Sequence, residues 1–230
     1  MTDLRTETVP LVDGSALRLT VATPDSAVRG GIVVLHEARG VTDDVRGLVH
    51  GLAGDGWLAV APHLYHRDGA DEIDGSDEAV QQQVDRLDGE QVLADTDTAF
   101  GWLADHDISP DRMGVVGFDL GGSVALIVAA QRTLGAAVSV AGEGSMHPAP
   151  GLPSPVELAG ELTCPWLGLY GETSDGGDPD VDKLKEAMNR AEVAADVVVY
   201  PHSGHRFDAD PEAAADAWQR TLNWFDSHLR

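Results

Sequence analysis

The sequence predicts an α/β domain: a mostly parallel, doubly wound sheet with an N-terminal antiparallel hairpin and no large cap domain. Three observations predict it. Short, nearly continuous apolar runs such as "GGIVVLHE", "WLAVAP" and "CPWLGLYG" have the composition of strands buried on both faces. Segments with apolar residues three and four apart lie between these runs, so strands alternate with helices. A chain of 230 residues, 43% hydrophobic and without internal repeats or long linkers, suits a single domain spanning 1–230.

The elements follow in order. "ETVPL" and "ALRLTVA", joined by "VDGS", form the hairpin, with Asp13 and Gly14 in its turn. "GGIVVLHE" is the first buried strand. In "VTDDVRGLVHGLAGDG" the spacing of Val45, Leu48, Val49 and Leu52 predicts a helix that Gly54 and Gly56 stop. "WLAVAP" is a strand ended by Pro62, and a loop leads into one long helical region from about Val80 to His106. "DRMGVVGF" is a strand and "GGSVALIVAAQR" the helix after it. The strand "LGAAVSVAG" is followed by an irregular excursion, "EGSMHPAPGLPSPVELAGEL". The strands "CPWLGLYG" and "ADVVVYP" and the helices "DVDKLKEAMNRAEV" and "PEAAADAWQRTLNWFDSHL" complete the chain.

The formal charge is −24, and Lys183 and Lys185 are the only lysines among 15 basic residues. Such a surface repels phosphate backbones and anionic lipid, so neither nucleic acid nor membrane is an expected partner. An anionic substrate would have to overcome the same field and would need a local arginine. No apolar run approaches the roughly 20 residues that cross a bilayer. The start lacks a basic segment followed by an apolar one, so a cytoplasmic location is expected. A single cysteine, Cys164, excludes an internal disulfide and reads as a small buried residue where a strand begins. The expected partner is a small-molecule substrate or ligand, bound by a monomer or homodimer.

In open α/β sheets, ligands bind beyond the carboxyl ends of the strands. There "GVVGFDLGG" places Asp119 at the tip of a strand-to-helix bend, the position of the nucleophile in a Gly-x-nucleophile-x-Gly turn. Gly117, Gly121 and Gly122 permit the tight backbone. The first helical amides face the same space, so Leu120 and a group near Ala38 are candidate oxyanion donors. Glu37 ends the first buried strand, Asp175 and Asp178 follow "LYG", and His205 follows the last strand. The order nucleophile, acid, histidine is that of α/β-hydrolases.

The stretches "GIVVLHEARGV", "LAGDGWLAVAPHLYHR", "VGFDLGG", "CPWLGLYGE" and "VVVYPHSGHRFD" resemble the dienelactone hydrolase family over most of the chain. The resemblance implies a small-molecule hydrolase of esters or lactones, with no metal and no organic cofactor. It implies that Asp119 stands where the family has cysteine or sometimes serine as nucleophile. It implies that His205 is the catalytic histidine, that Glu37 contacts the resting nucleophile, and that Tyr65 lines the pocket entrance. The family's orienting acid stands three residues after the Gly of "YG", which here is Ser174; a one-residue insertion makes it Asp175, with Asp178 next.

An aspartate at this tip leaves the chemistry open. Attack by a carboxylate on an ester carbonyl gives a mixed anhydride, a poor route. Attack on an sp³ carbon bearing a halide or epoxide gives an alkyl-enzyme ester that His205 could help hydrolyse. Asp119 and Glu37 could share a proton and act as an acid/base pair. A protein that binds a ligand without turning it over is the remaining reading. Arg206 and Arg39 are candidates to clamp a substrate carboxylate.

No metal site is expected. An H-E-x-x-H motif begun by His36 and Glu37 would need histidine at 40, which is Gly40. His63 and His66 with Asp68 read as exposed loop residues. Asp178, Asp180 and Asp182 alternate as in a calcium loop, but Lys183 stands where its glycine is needed and Asn189 where its glutamate is needed. Phe100, Trp102, Trp218 and Trp224 read as packing residues.

Overall fold

The apolar runs become eight strands of one sheet in a computed structural model that describes residues 3–140, 150–172, 179–201 and 207–229. The strands are β1 (Asp3–Pro10), β2 (Ala16–Thr23), β3 (Gly31–Leu35), β4 (Leu58–Pro62), β5 (Met113–Phe118), β6 (Ala136–Val140), β7 (Trp166–Gly171) and β8 (Ala195–Tyr200). They lie in the order β1-β2-β4-β3-β5-β6-β7-β8. The β1–β2 hairpin and the β2–β4 contact are antiparallel, and every other pairing is parallel. Every residue of β3, β4, β6 and β7 is buried, which is why these strands read as unbroken apolar runs rather than alternating ones.

The helices are α1 (Asp43–Gly54), α2 (Asp77–Val84), α3 (Gly89–Asp105), α4 (Leu120–Gln131), α5 (Pro155–Leu158), α6 (Pro179–Met188) and α7 (Pro211–His228). They cover the sheet in two layers. On one face α3, α4 and α6 bury Phe100, Leu103, Val124 and Leu184; on the other α1 and α7 bury Val49, Leu52, Ala217 and Phe225. From α4, Leu120 through Ala130 are all buried, so this helix is apolar on every side and anchors the bend that precedes it. Among the described residues, the connections hold only these helices, three short 3₁₀ turns and loops, with no large cap over the strand ends. No described helix is long and apolar enough to cross a membrane.

The helical region expected from Val80 to His106 is two helices, not one. The chain breaks between α2 and α3 because Gly89 packs directly on another backbone: a Cβ there would meet Gly151 C and Leu152 N at 2.6 Å. The amide of Gly89 also donates to the carbonyl of Pro150 at 2.8 Å, and Asp88 caps the new helix by accepting from the Gln91 amide. The described part of the excursion before β7 contains α5. Chain order reverses direction between β3 and β5, the place where open α/β sheets leave a crevice.

Candidate active site

Sheet register brings Glu37 and Asp119 to this crevice. Leu35 on β3 is paired with Gly117 on β5, and each acid stands two residues further along its own chain. Asp119 has φ 51° and ψ −115°, left-handed backbone that non-glycine residues rarely adopt. Its N–H donates to Val140 O at 2.9 Å, while its carbonyl accepts from the amides of Gly122 (2.8 Å) and Ser123 (3.2 Å). Gly117 and Gly121 make the bend possible. A Cβ on Gly117 would lie 1.9 Å from Gly121 O, and one on Gly121 would lie 2.3 Å from Leu35 O.

Holding a side chain in such backbone costs about 1–3 kcal/mol, a cost absent for glycine. Asp119→Gly is therefore expected to be more stable than Asp119→Ala by about 1–3 kcal/mol in urea unfolding, although both lose the carboxylate. Equal stabilities would mean a relaxed turn. The amides of Leu120 and Gly121 open α4 with no helical carbonyl one turn behind them, so the positive end of the helix faces the tip.

The opposite wall is set by His36, which is fully buried. Its Nε2 accepts from the Leu64 amide at 3.2 Å, which leaves the proton on Nδ1 to donate to Glu37 O at 2.6 Å. The amide of Gly40 donates to the same carbonyl at 3.1 Å. A planar trans peptide points its N–H opposite to its carbonyl, so these two bonds fix the direction of the Ala38 amide. A strap at 71–73 braces the loop further: the Val41 amide donates to Asp71 O at 2.8 Å and the Ile73 amide to Arg39 O at 2.9 Å.

Burial pushes His36 down from an ordinary value of 6.5 to about 4, against the opposing effect of its bond to Glu37 O. Folding thus favours the neutral ring. The stabilisation is complete above pH 6.5 and is lost as pH falls through about 4. His36→Gln is expected to reduce the acid loss of stability in that window by about 3 kcal/mol, read from urea midpoints at several pH values. His63 is shifted in the same direction by burial and keeps its own share of the slope in that variant.

Tyr65 is also buried, and its hydroxyl donates to Ala38 O at 2.7 Å. Burial first, then the negative charges of Asp119 and Glu37, hold its phenol well above the usual range. It therefore remains a donor, and both acids lie near enough to act on it. The structure thus groups Glu37, Ala38, Tyr65, Asp119 and Leu120. Arg39 pairs instead with Asp77 at 2.6 Å and Gly75 O at 3.3 Å. His205, Asp175, Asp178 and Arg206 lie outside the described residues.

His63 and His66, read from the sequence as exposed loop residues, have buried rings. His63 bridges the Thr20 hydroxyl (2.8 Å) and Asp71 (2.6 Å), a carboxylate that Arg18 also pairs with at 2.6 Å. His66 contacts the buried Asp95 at 3.0 Å, and Arg67 grips the same carboxylate with both arms at 2.6 and 3.0 Å. Charge and burial are reconciled by pairing, and the pairs tie down the loop that carries Tyr65. Among the described residues, no group of three potential ligands could hold a metal ion. Cys164 is buried, and desolvation pushes its thiol up to about 12, so it stays protonated.

A cavity of about 490 Å³ opens from Glu37 and Phe118 between α1 and α7. Trp218 packs against the core on this face, as expected, and also lines the cavity. Neither the cavity nor the part played by His36 emerges from the motif. The signal for His36 is its position directly after five buried strand residues, where a histidine is enclosed and must be bonded at both nitrogens.

A mixed sheet of this order, bent at a strained residue after β5, belongs to the α/β-hydrolase class. The chain belongs to the dienelactone hydrolase family, whose family model matches residues 17–229, and is a hydrolase of that family. It is 34% identical over 239 residues to a Yersinia pestis protein provisionally named carboxymethylenebutenolidase, with 96% of this chain and 88% of that one covered. It is 29% identical over 218 residues to a carboxymethylenebutenolidase of Rhodococcus opacus, covering 90% and 85%. A solved structure from Klebsiella pneumoniae, provisionally named dienelactone hydrolase, matches with TM-score 0.87 and 31% identity over 99% of this chain and 100% of that one. The dienelactone hydrolase of Anabaena variabilis shares the fold, with TM-score 0.72, 20% identity, and 100% and 99% covered.

Proposed function

We propose that this hydrolase cleaves small carboxylic esters or lactones, with the Asp119 carboxylate activating water rather than attacking the substrate. The observation that carries the reading is the strained backbone of Asp119, which holds a carboxylate at the tip of a reactive turn beside the start of α4. A water proton passes to Asp119 as the water oxygen bonds to the carbonyl carbon. The carbonyl oxygen takes the negative charge, with the amides of Leu120 and Ala38 assigned to receive it. Collapse breaks the bond to the alkoxide, and the proton moves from Asp119 to that leaving oxygen. Acid and alcohol result, and Asp119 returns to its starting state.

By its place in the family motif, His205 is the group that relays this proton, with Asp175 behind it. Displacement at a halide or epoxide carbon is the less favoured reading, because the described residues supply no cap to bind the leaving group. The test is a panel of p-nitrophenyl esters and simple lactones assayed with the wild-type protein and Asp119→Asn. Turnover by the wild type that falls in the variant supports the reading. A wild type that turns over nothing in the panel, or a variant as active as the wild type, overturns it.

A further inference from the structure

The cavity at Glu37 has a definite chemical character. Its volume of about 490 Å³ lies in the range of small-molecule sites. Phe118, Val140 and Phe207 line it, along with Trp218 and Ala214 from α7. Phe207 is backed by Tyr200, stacked at 4.5 Å and 9°, which holds its ring in place. Phe207 is itself fully buried, so the half-buried Phe118 and Trp218 are the aromatic side chains on which a cation is favoured in this cleft.

The charged groups point the same way. Glu37, Asp43 and Asp44 line the cavity, and no lysine or arginine does among the described residues. Among the described residues, the arginines on α1 and in the adjoining cleft are tied to carboxylates. Arg46 sits on Asp43 at 2.8 Å and Glu72 at 3.4 Å, and Arg39 on Asp77 at 2.6 Å. A smaller adjoining cleft of about 280 Å³ shares Asp43 and Asp44 and adds Glu72, Asp74 and Arg39. The positive end of α1 also faces this region, but Asp43 and Asp44 occupy its first turn and offset it. Beyond the cleft, the net charge of −24 attracts cations and repels anions.

We infer that the α1–α7 cleft binds a hydrophobic group carrying positive charge, so that the preferred substrate is an ester with a cationic end. The inference rests on the ester-hydrolase reading for its kinetic test and on the cleft alone for its binding test. Gly47 offers a way to probe the space: it lies on the α1 wall, and nothing is within 4 Å of where its Cβ would be. A side chain can be added at this wall residue without meeting a neighbouring atom at its Cβ.

The kinetic test uses three p-nitrophenyl esters of matched length: 4-(trimethylammonio)butanoate, its neutral isostere 5,5-dimethylhexanoate, and the anionic monoester of adipic acid. At low salt, kcat/KM for the cationic ester is expected to exceed that for the anionic one by about tenfold, the gap narrowing as salt rises. The double variant Asp43→Asn/Asp44→Asn should cut that ratio about fivefold, and Gly47→Phe should lower the ratio of dimethylhexanoate to acetate turnover. A preference for the anionic ester, or a cation-to-anion ratio unchanged in the double variant, overturns the inference while leaving ester hydrolysis standing. If no ester is turned over, the hydrolase reading fails, and calorimetric titration decides the cleft separately. Phenyltrimethylammonium should bind and weaken in Trp218→Ala; benzoate binding as tightly, or no effect of Trp218→Ala, overturns the inference.

Discussion

Asp119→Asn is expected to lower kcat on a p-nitrophenyl ester by about 10²–10⁴-fold, with KM and the unfolding midpoint little changed. Asparagine matches aspartate in size and is, like it, among the side chains that tolerate left-handed backbone. The turn therefore persists, with Asp119 N–H still on Val140 O and the α4 amides still exposed to the same space. The loss is confined to the basic oxygen that takes the water proton. Because no other side chain changes, the effect falls on kcat rather than KM. Steady-state kinetics on the purified variant, with its circular dichroism checked against the wild type, measure this. A variant within about threefold of the wild type would remove Asp119 from the chemistry.

Gly117→Ala is expected to destabilise the fold by more than about 3 kcal/mol, among the larger effects of any single methyl group. The added Cβ would stand 1.9 Å from Gly121 O, 2.2 Å from Gly121 C and 2.8 Å from Gly122 N. All three are backbone atoms in the first turn of α4, and that helix is packed on every side. Relief requires unwinding the turn or pulling α4 off β5, and either one exposes core. Gly101→Ala is the control: Gly101 lies exposed in α3 with nothing within 4 Å of its Cβ position. That change is expected to stabilise by about 0.5–1 kcal/mol through helix propensity alone. Urea unfolding of the two variants checks both numbers. A Gly117→Ala cost below about 1 kcal/mol would mean that the bend is looser than described.

What could be read from the sequence was what depends on local pattern. Strands buried on both faces announce themselves as apolar runs, and Gly117, Asp119 and Gly121 mark the bend because its geometry requires small residues at fixed spacing. Features that depend on distant partners did not show. The break before α3 is made by Gly89 meeting Gly151 and Leu152, a contact that helical periodicity from Val80 to His106 does not encode. His63 and His66 sit in a polar stretch and read as solvent-facing. Their burial is decided by Thr20 on β2 and by Asp95 on α3, which tertiary folding brings to them. Trp218 reads as packing and does pack, but the cleft it also lines depends on how far α1 stands from α7, which the sequence pattern does not encode. The role of His36 depends on one peptide plane, and no spacing rule reports the direction of a carbonyl.

In the proposed reaction the carboxylate at the strained tip takes a proton from water and does not become bonded to the substrate. A single turnover in oxygen-18 water, with the enzyme in excess over a p-nitrophenyl ester, tests it most directly. One heavy oxygen is expected in the released acid and none in the peptide containing Asp119, measured by mass spectrometry after quenching. Heavy oxygen in the Asp119 side chain would contradict it, because that label enters only when water attacks the Asp119 carbonyl of a mixed anhydride formed on that carboxylate.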